Sequence, residues 1–416
     1  MPQTTPAGTL VVGASQAGVQ LAASLRQLGE SAPITLVGAE PHPPYQRPPL
    51  SKEFLAGSAG PESLAFRTPA YYAENGIELV CGQRVVDIDL PSAGRPGLAR
   101  TATGRELPFA RLALTVGARP RRLHVPGADL DGVLYLRNLD DAVQLRRRLA
   151  DASRVAVVGG GFIGLEAAAT ARAHGKRVTV VEAADRLVGR SVAPVVSEFL
   201  RQAHQRRGTT VLVSTEVVAF HGTADRVEAV RLADGRELPA DLVLVGVGAV
   251  PRTELAEQIG LECDGGILVD AAARTSDPSV VAAGDCTVLP HPMTGVGRVR
   301  LESVPSAVAQ AGVAAATLLG RPAATRSVPW FWSNQGDLRL QIAGLSTGYD
   351  RYDVRGEPDS EQFAVLYYRD GELLAVDAVN APADYLVVRK ALAQGKNLPA
   401  DKVADAGIPL KSLLAG

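Results

Sequence analysis

Val155-Ala156-Val157-Val158-Gly159-Gly160-Gly161-Phe162-Ile163-Gly164-Leu165-Glu166 passes from an unbroken apolar run through three spaced glycines into a helical pattern. An apolar run without alternation is what a strand buried on both faces of a parallel sheet looks like. Glycines at 159, 161 and 164 have the G-x-G-x-x-G spacing. Backbone can then approach a pyrophosphate closely, and the helix N-terminus offers it partial positive charge. The helical pattern continues to about His174, and a second apolar strand, Arg177 to Val181, follows. This is a βαβ unit. Glu182 ends the second strand, where a carboxylate accepts the hydroxyls of an adenosine ribose and repels a 2′-phosphate. The unit therefore predicts NADH rather than NADPH, with Gly159, Gly161, Ile163, Gly164 and Glu182 as contacts. Arg186 and Arg190 lie close behind and can bind phosphate, so the preference is not strict.

The same grammar occurs at the start of the chain. Thr9-Leu10-Val11-Val12 leads into Gly13-Ala14-Ser15-Gln16-Ala17-Gly18, a helical pattern through Arg26, and the apolar run Ile34 to Val37. Here Ser15 stands where the middle glycine belongs, so the turn alone is weak evidence for a nucleotide. Its companion is Val280-Val281-Ala282-Ala283-Gly284-Asp285, an apolar strand that delivers Gly-Asp to its edge. Asp285 can accept a hydrogen bond from the ribityl chain of FAD. The helix from about Val304 aims its N-terminal dipole where a reduced flavin carries negative charge. Either feature alone reads as an ordinary turn; two Gly-rich turns and a late Gly-Asp, in this order, read as an FAD site and an NADH site.

Outward from these units, Arg84 to Phe109 alternates and carries turns around Pro91 to Gly94 and Thr103 to Arg105, as in a small antiparallel excursion. Val211 to Pro239 is similarly rich in hairpin signals, with Asp234-Gly235 as a tight turn. Leu242 to Val250 reads as one buried strand. A helix is expected from Pro305 to Leu319, stopped by Gly320 and Pro322. Thr115 to Pro120 and Gly246 to Pro251 mark where the chain crosses between the nucleotide domains; Gly117 and Gly248 read there as hinges or as cofactor contacts. Beyond Val328, strands at Leu338 to Leu345, Phe363 to Tyr368 and Leu373 to Val379, then a helix from Ala383, predict a small α+β domain. The expected fold class is α/β, with two Rossmann-like nucleotide-binding domains of glutathione reductase type and that C-terminal domain. Its expected boundaries are 1–116 with 248–325, 117–247, and 326–416.

The 416 residues exceed what one hydrophobic core serves. A net charge of -1 gives no overall basic field for nucleic acid. The first eight residues have no signal-peptide pattern, and no apolar run approaches the roughly 20 residues of a membrane helix. Cys81, Cys263 and Cys286 are far apart and form no CxxC or metal-ligand spacing. That usage fits a reducing cytoplasm, and no metal site is expected.

Several strings carry a resemblance over almost the whole chain: Pro44-Tyr45-Gln46-Arg47-Pro48-Pro49-Leu50-Ser51-Lys52, Gly160 to Glu166, Gly284-Asp285, Glu302-Ser303-Val304, and Pro329-Trp330-Phe331-Trp332-Ser333-Asn334-Gln335. With these the sequence resembles the NADH-dependent ferredoxin reductases of bacterial oxygenase systems. The resemblance implies FAD contacts at Gly13, Ser15, Ala17, Gly18 and Arg47, at Lys52, Val85 and Arg137, and at Gly284, Asp285 and Val304. Where relatives often carry an acid after Val37-Gly38 this chain has Ala39, so Glu40 is expected to take the FAD ribose. The resemblance also implies that Lys52 and Glu166 lie near the flavin and the nicotinamide carboxamide; otherwise each reads as a salt bridge. Phe162 packs in the core or against the flavin.

The resemblance further implies an acidic 2Fe–2S ferredoxin as acceptor, serving a cytochrome P450 or a ring-hydroxylating dioxygenase. Arg298, Arg300 and Arg339, with Trp330 or Trp332, are candidates for its docking surface; a solvated face and a domain core are the plain readings of the same residues. Disulfide reductases of this architecture keep a redox cysteine beside the flavin, and Tyr45 to Phe54 contains none. An NADH oxidase, a rubredoxin or quinone reductase, and a redox sensor of the apoptosis-inducing-factor type are the rival readings. Monomer and homodimer both remain open.

Overall fold

Two parallel five-stranded sheets organise the chain, each built around one of the Gly-rich turns. The computed structural model describes residues 8–92, 94–322 and 327–414. Residues 1–7, 93, 323–326 and 415–416 lie outside it, including most of the stretch read for a leader, one residue of the expected turn after Pro91, and the 325/326 boundary. Contacts divide the chain into two units: 1–46, 64–119 and 250–329, then 47–63, 120–249 and 330–416.

In the first unit the strand order is Val280–Ala282, Arg111–Leu114, Thr9–Val12, Ile34–Val37, Ile77–Val80. All pairings are parallel, with Val11 level with Leu36 on one side and Ala113 on the other. The first strand is thus flanked by strands reached in opposite directions, and the crevice at its carboxyl end is the usual ligand position of such sheets. Helix Gln16–Gln27 packs on the alanine-rich helix Val304–Leu318. Leu21, Ala22 and Leu25 bury with Ala307, Ala311, Ala314 and Ala315; these small side chains let the helices approach. Val85–Asp89, Gly97–Thr101 and Glu106–Phe109 form the expected antiparallel excursion.

The second unit repeats the plan with the order Thr210–Leu212, Arg177–Val181, Arg154–Val158, Leu242–Val245, Val133–Tyr135, again all parallel. One expectation fails here. Leu242 to Val250 is not a single strand: it ends at Val245, turns through Gly246 to Gly248, and resumes at Ala249–Pro251. Gly248 takes a φ of 107°, which a β-strand cannot accommodate. The apolar residues alone hide this break; the two glycines carry it.

Residues 330–414 form an antiparallel sheet in the order Trp330–Gln335, Leu338–Gly344, Glu372–Val379, Gln362–Arg369, Arg351–Glu357, covered by helix Pro382–Ala393. The first and last of these are edge strands absent from the expected set. This sheet packs in the same unit as the second Gly-rich turn: Phe199 meets Phe363 edge-on, and Arg207 pairs with Asp337 and Glu361.

A buried carboxyl lies at this packing. Asp377 is 1% exposed; the Tyr367 hydroxyl donates to it and accepts from Ala193 N–H at 2.8 Å. Burial pushes the Asp377 pKa up to about 7, against a usual 3.8, and the Tyr367 hydrogen bond only partly opposes this. The folded state therefore holds a proton that the unfolded chain has already lost. Its contribution is fully present below pH 4 and is lost as pH rises to about 7. Stability should fall across that window by up to about 1.4 kcal/mol per pH unit. Asp377→Asn should flatten the fall in thermal midpoint measured between pH 5 and 7; an unchanged slope refutes the assignment.

Candidate functional site

The two Gly-rich turns superimpose in their logic. Gly13 and Gly159 open them with φ of 116° and 108°, and their N–H groups donate to Val37 and Val181 carbonyls at 2.8 Å in both cases. A Cβ on Gly18 would sit 2.0 Å from the Gly13 oxygen, and one on Gly164 2.4 Å from the Gly159 oxygen. The third glycine of each turn is thus required for helix to meet strand. The middle position differs. Ser15 and Gly161 both have extended backbone, φ −128° and −80°, where a serine carries no conformational cost. The departure from pattern at Ser15 is therefore compatible with the same turn.

Both turn helices begin without a side-chain cap and without an acidic residue in the first turn. Helix Leu139–Asp151, in contrast, carries a full Asn138–Asp141 capping box. Uncapped first-turn N–H groups are the chemistry that receives a pyrophosphate. At Gly161 no atom lies within 4 Å of an added Cβ, so the turn leaves open space where the phosphates of a dinucleotide fit. Ile163 stands beside it, 47% exposed despite being apolar. Glu182 is held at the end of its strand, accepting from Gly160 N–H at 2.6 Å and Ala184 N–H at 2.8 Å. Each of its oxygens keeps a lone pair for a ribose hydroxyl. Arg190 reaches the Gly248 turn, where an added Cβ would lie 3.7 Å from its guanidinium.

In the first unit, Thr115 Oγ donates to the Gly13 and Val12 carbonyls at 2.8 and 3.1 Å, closing the turn from the neighbouring strand. Gly284 has φ 90°, and its N–H donates to Gln310 at 3.0 Å. Asp285 follows it, half-buried. Ser303 caps helix Val304–Leu318. Glu40 accepts from the Tyr45 hydroxyl. Val85 is buried at the start of its strand. The candidate flavin contacts Gly13, Ser15, Ala17, Gly18, Glu40, Val85, Gly284, Asp285 and Val304 all belong to this unit.

Arg47, Lys52 and Arg137 belong to the second unit instead, with every candidate NADH contact. Arg47 donates to the Arg137 carbonyl at 2.7 Å. Lys52 Nζ pairs with Glu166 Oε2 at 2.6 Å, the two side chains being 13% and 6% exposed. Ser51 donates to the same oxygen at 2.5 Å, and Ser333 donates to Oε1 at 2.8 Å. Sequence reasoning passed over Ser51 and Ser333, although both stand inside the strings that carry the family resemblance. Phe162 packs on Phe331, with ring centroids 4.7 Å apart.

The proposed docking residues divide between the units. Arg298 is exposed and donates to the Val269 carbonyl at 3.2 Å; Arg300 pairs with Glu302. Arg339 is exposed on the C-terminal sheet. Trp330 is half-buried, 5.5 Å from Trp332, under the guanidinium of Arg389 at 4.5 Å. Arg389 had no sequence signal beyond its place on the expected C-terminal helix. Burial pushes all three thiols up, Cys286 to about 12, the reverse of what a reactive thiolate needs. Among the described residues no cluster suits a metal ion, and no helix is long and apolar enough to cross a membrane.

The pyridine nucleotide-disulphide oxidoreductase family matches residues 8–311, and a reductase C-terminal domain matches residues 330–414. Rhodocoxin reductase of Rhodococcus erythropolis is 44% identical, over 98% of this chain and 94% of its own. Among solved structures, the ferredoxin reductase for the CYP199A2 system of Rhodopseudomonas palustris superposes with a TM-score of 0.94 at 42% identity, covering 98% and 99% of the two chains. A covalent putidaredoxin reductase–putidaredoxin complex does so with 0.94 at 40% identity, covering 98% of each.

Proposed function

Because the chain belongs to the pyridine nucleotide-disulphide oxidoreductase family, we propose that it is an NADH-dependent, FAD-containing ferredoxin reductase. Its acceptor in this reading is a small acidic 2Fe–2S ferredoxin serving a cytochrome P450 or a ring-hydroxylating dioxygenase. The observation that carries the reading is the buried Lys52–Glu166 pair, set one turn into the helix that begins at the second Gly-rich turn. A fixed cation and carboxylate at that place are suited to orienting a nicotinamide.

In this reading residues 1–116 and 248–325 bind FAD, 117–247 bind NADH, and 326–416 complete the acceptor side. The Gly13 turn takes the FAD pyrophosphate, Glu40 its ribose, and Asp285 its ribityl chain. The Gly159 turn takes the NADH pyrophosphate and Glu182 its adenosine ribose. Bound FAD would supply the step no side chain can, accepting one hydride from NADH and releasing its two electrons singly. Lys52 holds Glu166 in place, and Glu166 accepts from the nicotinamide carboxamide. No thiol is poised to act between donor and acceptor. The three free cysteines favour a cytoplasmic protein, which is a monomer or homodimer in this reading.

Glu182→Ala should raise KM for NADH about tenfold, the value of one lost hydrogen bond to a charged group, and narrow the preference over NADPH. Steady-state kinetics with both nucleotides check it; an unchanged ratio removes Glu182 from the site.

The ferredoxin reading is tested by the salt dependence of two assays. Arg298, Arg300 and Arg339 as a docking surface predict that ferredoxin reduction slows steeply with ionic strength, while NADH–ferricyanide turnover barely changes. Equal sensitivity rejects the surface. Rapid oxygen consumption without any ferredoxin points instead to an oxidase.

A further inference from the structure

Glu166 is the end of a chain of buried donors that runs in one direction only. Its Oε2 is taken by Lys52 and Ser51, and its Oε1 accepts from Ser333 Oγ at 2.8 Å. A carboxylate only accepts, so the single proton of the Ser333 hydroxyl is committed to it. Ser333 must then accept from Gln335 Nε2, 3.2 Å away. That fixes the amide, and its Oε1 faces His204 Nε2 at 2.8 Å. The histidine is thereby required to carry its hydrogen on Nε2. Ser333, Gln335 and His204 are 0, 1 and 2% exposed, so bulk water does not offer an alternative partner to any of them. Burial pushes the His204 pKa down, and the Arg207 charge adds to this against the Gln335 hydrogen bond.

We infer that His204, Gln335 and Ser333 are positioning residues that hold the Glu166 carboxylate in the orientation that receives the nicotinamide end of the dinucleotide. This rests on the role of Glu166 proposed above. The elements involved explain the arrangement: Glu166 lies on helix Phe162–Ala173, His204 on helix Pro194–Arg206, and Ser333 with Gln335 on edge strand Trp330–Gln335. Ser333 and Gln335 are two apart on a strand, hence on one face. The C-terminal sheet therefore reaches into the NADH site through its first strand, and the histidine sets the hydrogen-bond direction from the far end. Without the His204 donor the Gln335 amide is free to turn over. Ser333 can then point its proton away, and Glu166 loses a donor while keeping Lys52.

The test is the dissociation constant of NAD+ for the FAD-loaded protein, measured by equilibrium titration. His204→Phe should raise it about tenfold, as should Ser333→Ala, while His204→Gln, which restores a donor, should stay within about twofold of the unsubstituted protein. The double variant should be no weaker than either single one, since both break the same chain. Nitrogen-15 NMR of the unsubstituted protein should show His204 protonated at Nε2. Independent, multiplying effects overturn the chain, as does a His204 ring bare at Nε2. An unchanged constant in a folded, flavin-loaded His204→Phe variant does the same; if that variant does not fold, Ser333→Ala and the tautomer decide. Failure of the unsubstituted protein to bind NAD+ would instead overturn the functional reading on which the inference rests.

Discussion

Lys52→Met should slow the reduction of the flavin by NADH on the order of 100-fold, the scale seen when one preorganised electrostatic partner is removed from an active site. The substitution strips the Lys52 cation from Glu166, leaving the carboxylate to Ser51 and Ser333. Breaking a buried pair by removing one partner also costs about 3–5 kcal/mol of stability, which thermal unfolding will register. The two effects are separable. Lys52→Met combined with Glu166→Gln leaves no buried charge, so stability should largely return while the rate stays low. Stopped-flow reduction under NADH, with the melting curve of each variant, checks both. A rate within threefold of the unsubstituted protein would make the pair structural only.

The second large effect separates two glycines of one turn. Gly164→Ala forces a methyl to within 2.4 Å of the Gly159 carbonyl oxygen, so helix and strand must part. Overpacking of this kind costs roughly 1–3 kcal/mol, and the holoprotein should melt earlier. Gly161→Ala meets nothing within 4 Å and should fold as well as the unsubstituted chain. Its methyl points into the space left for the pyrophosphate, so the dissociation constant for NADH should rise tenfold or more, on the order of one lost charged hydrogen bond. Loss of stability in Gly161→Ala with normal binding would reverse the assignment of the two positions.

Much of this was readable because the turns impose hard local rules. Gly13 and Gly159 need positive φ, Gly18 and Gly164 need to lack a Cβ, and both pairs stand between apolar strands and helices. Ser15 looked irregular only because the spacing rule treats three glycines alike, while the backbone there is extended. The strand break after Val245 and the edge strand Arg351–Glu357 were less visible. In the first an apolar run continued through a turn, and in the second charged residues on an exposed edge mask the alternation. Glu166 was legible from its motif, but the chain behind it was not. Ser333 and Gln335 are small polar residues in a string notable for tryptophans, and His204 sits on the buried side of an ordinary amphipathic helix. Their meaning depends on three elements distant in sequence, which no local pattern reports.

The way the first unit is scattered along the chain bears on how the protein is made. Its parallel sheet opens at Thr9 but is completed only by Val280–Ala282, and the helix that covers it, Val304–Leu318, comes later still. Residues 120–249 contain all five strands of the other parallel sheet. Emerging from the ribosome in order, the second nucleotide-binding sheet can close while the first still waits for a strand. Pairings between distant segments form slowly, and an unfinished parallel sheet leaves apolar edges uncovered in the meantime. During synthesis the N-terminal βαβ segment therefore carries an unpaired parallel sheet edge until Val280–Ala282 arrives.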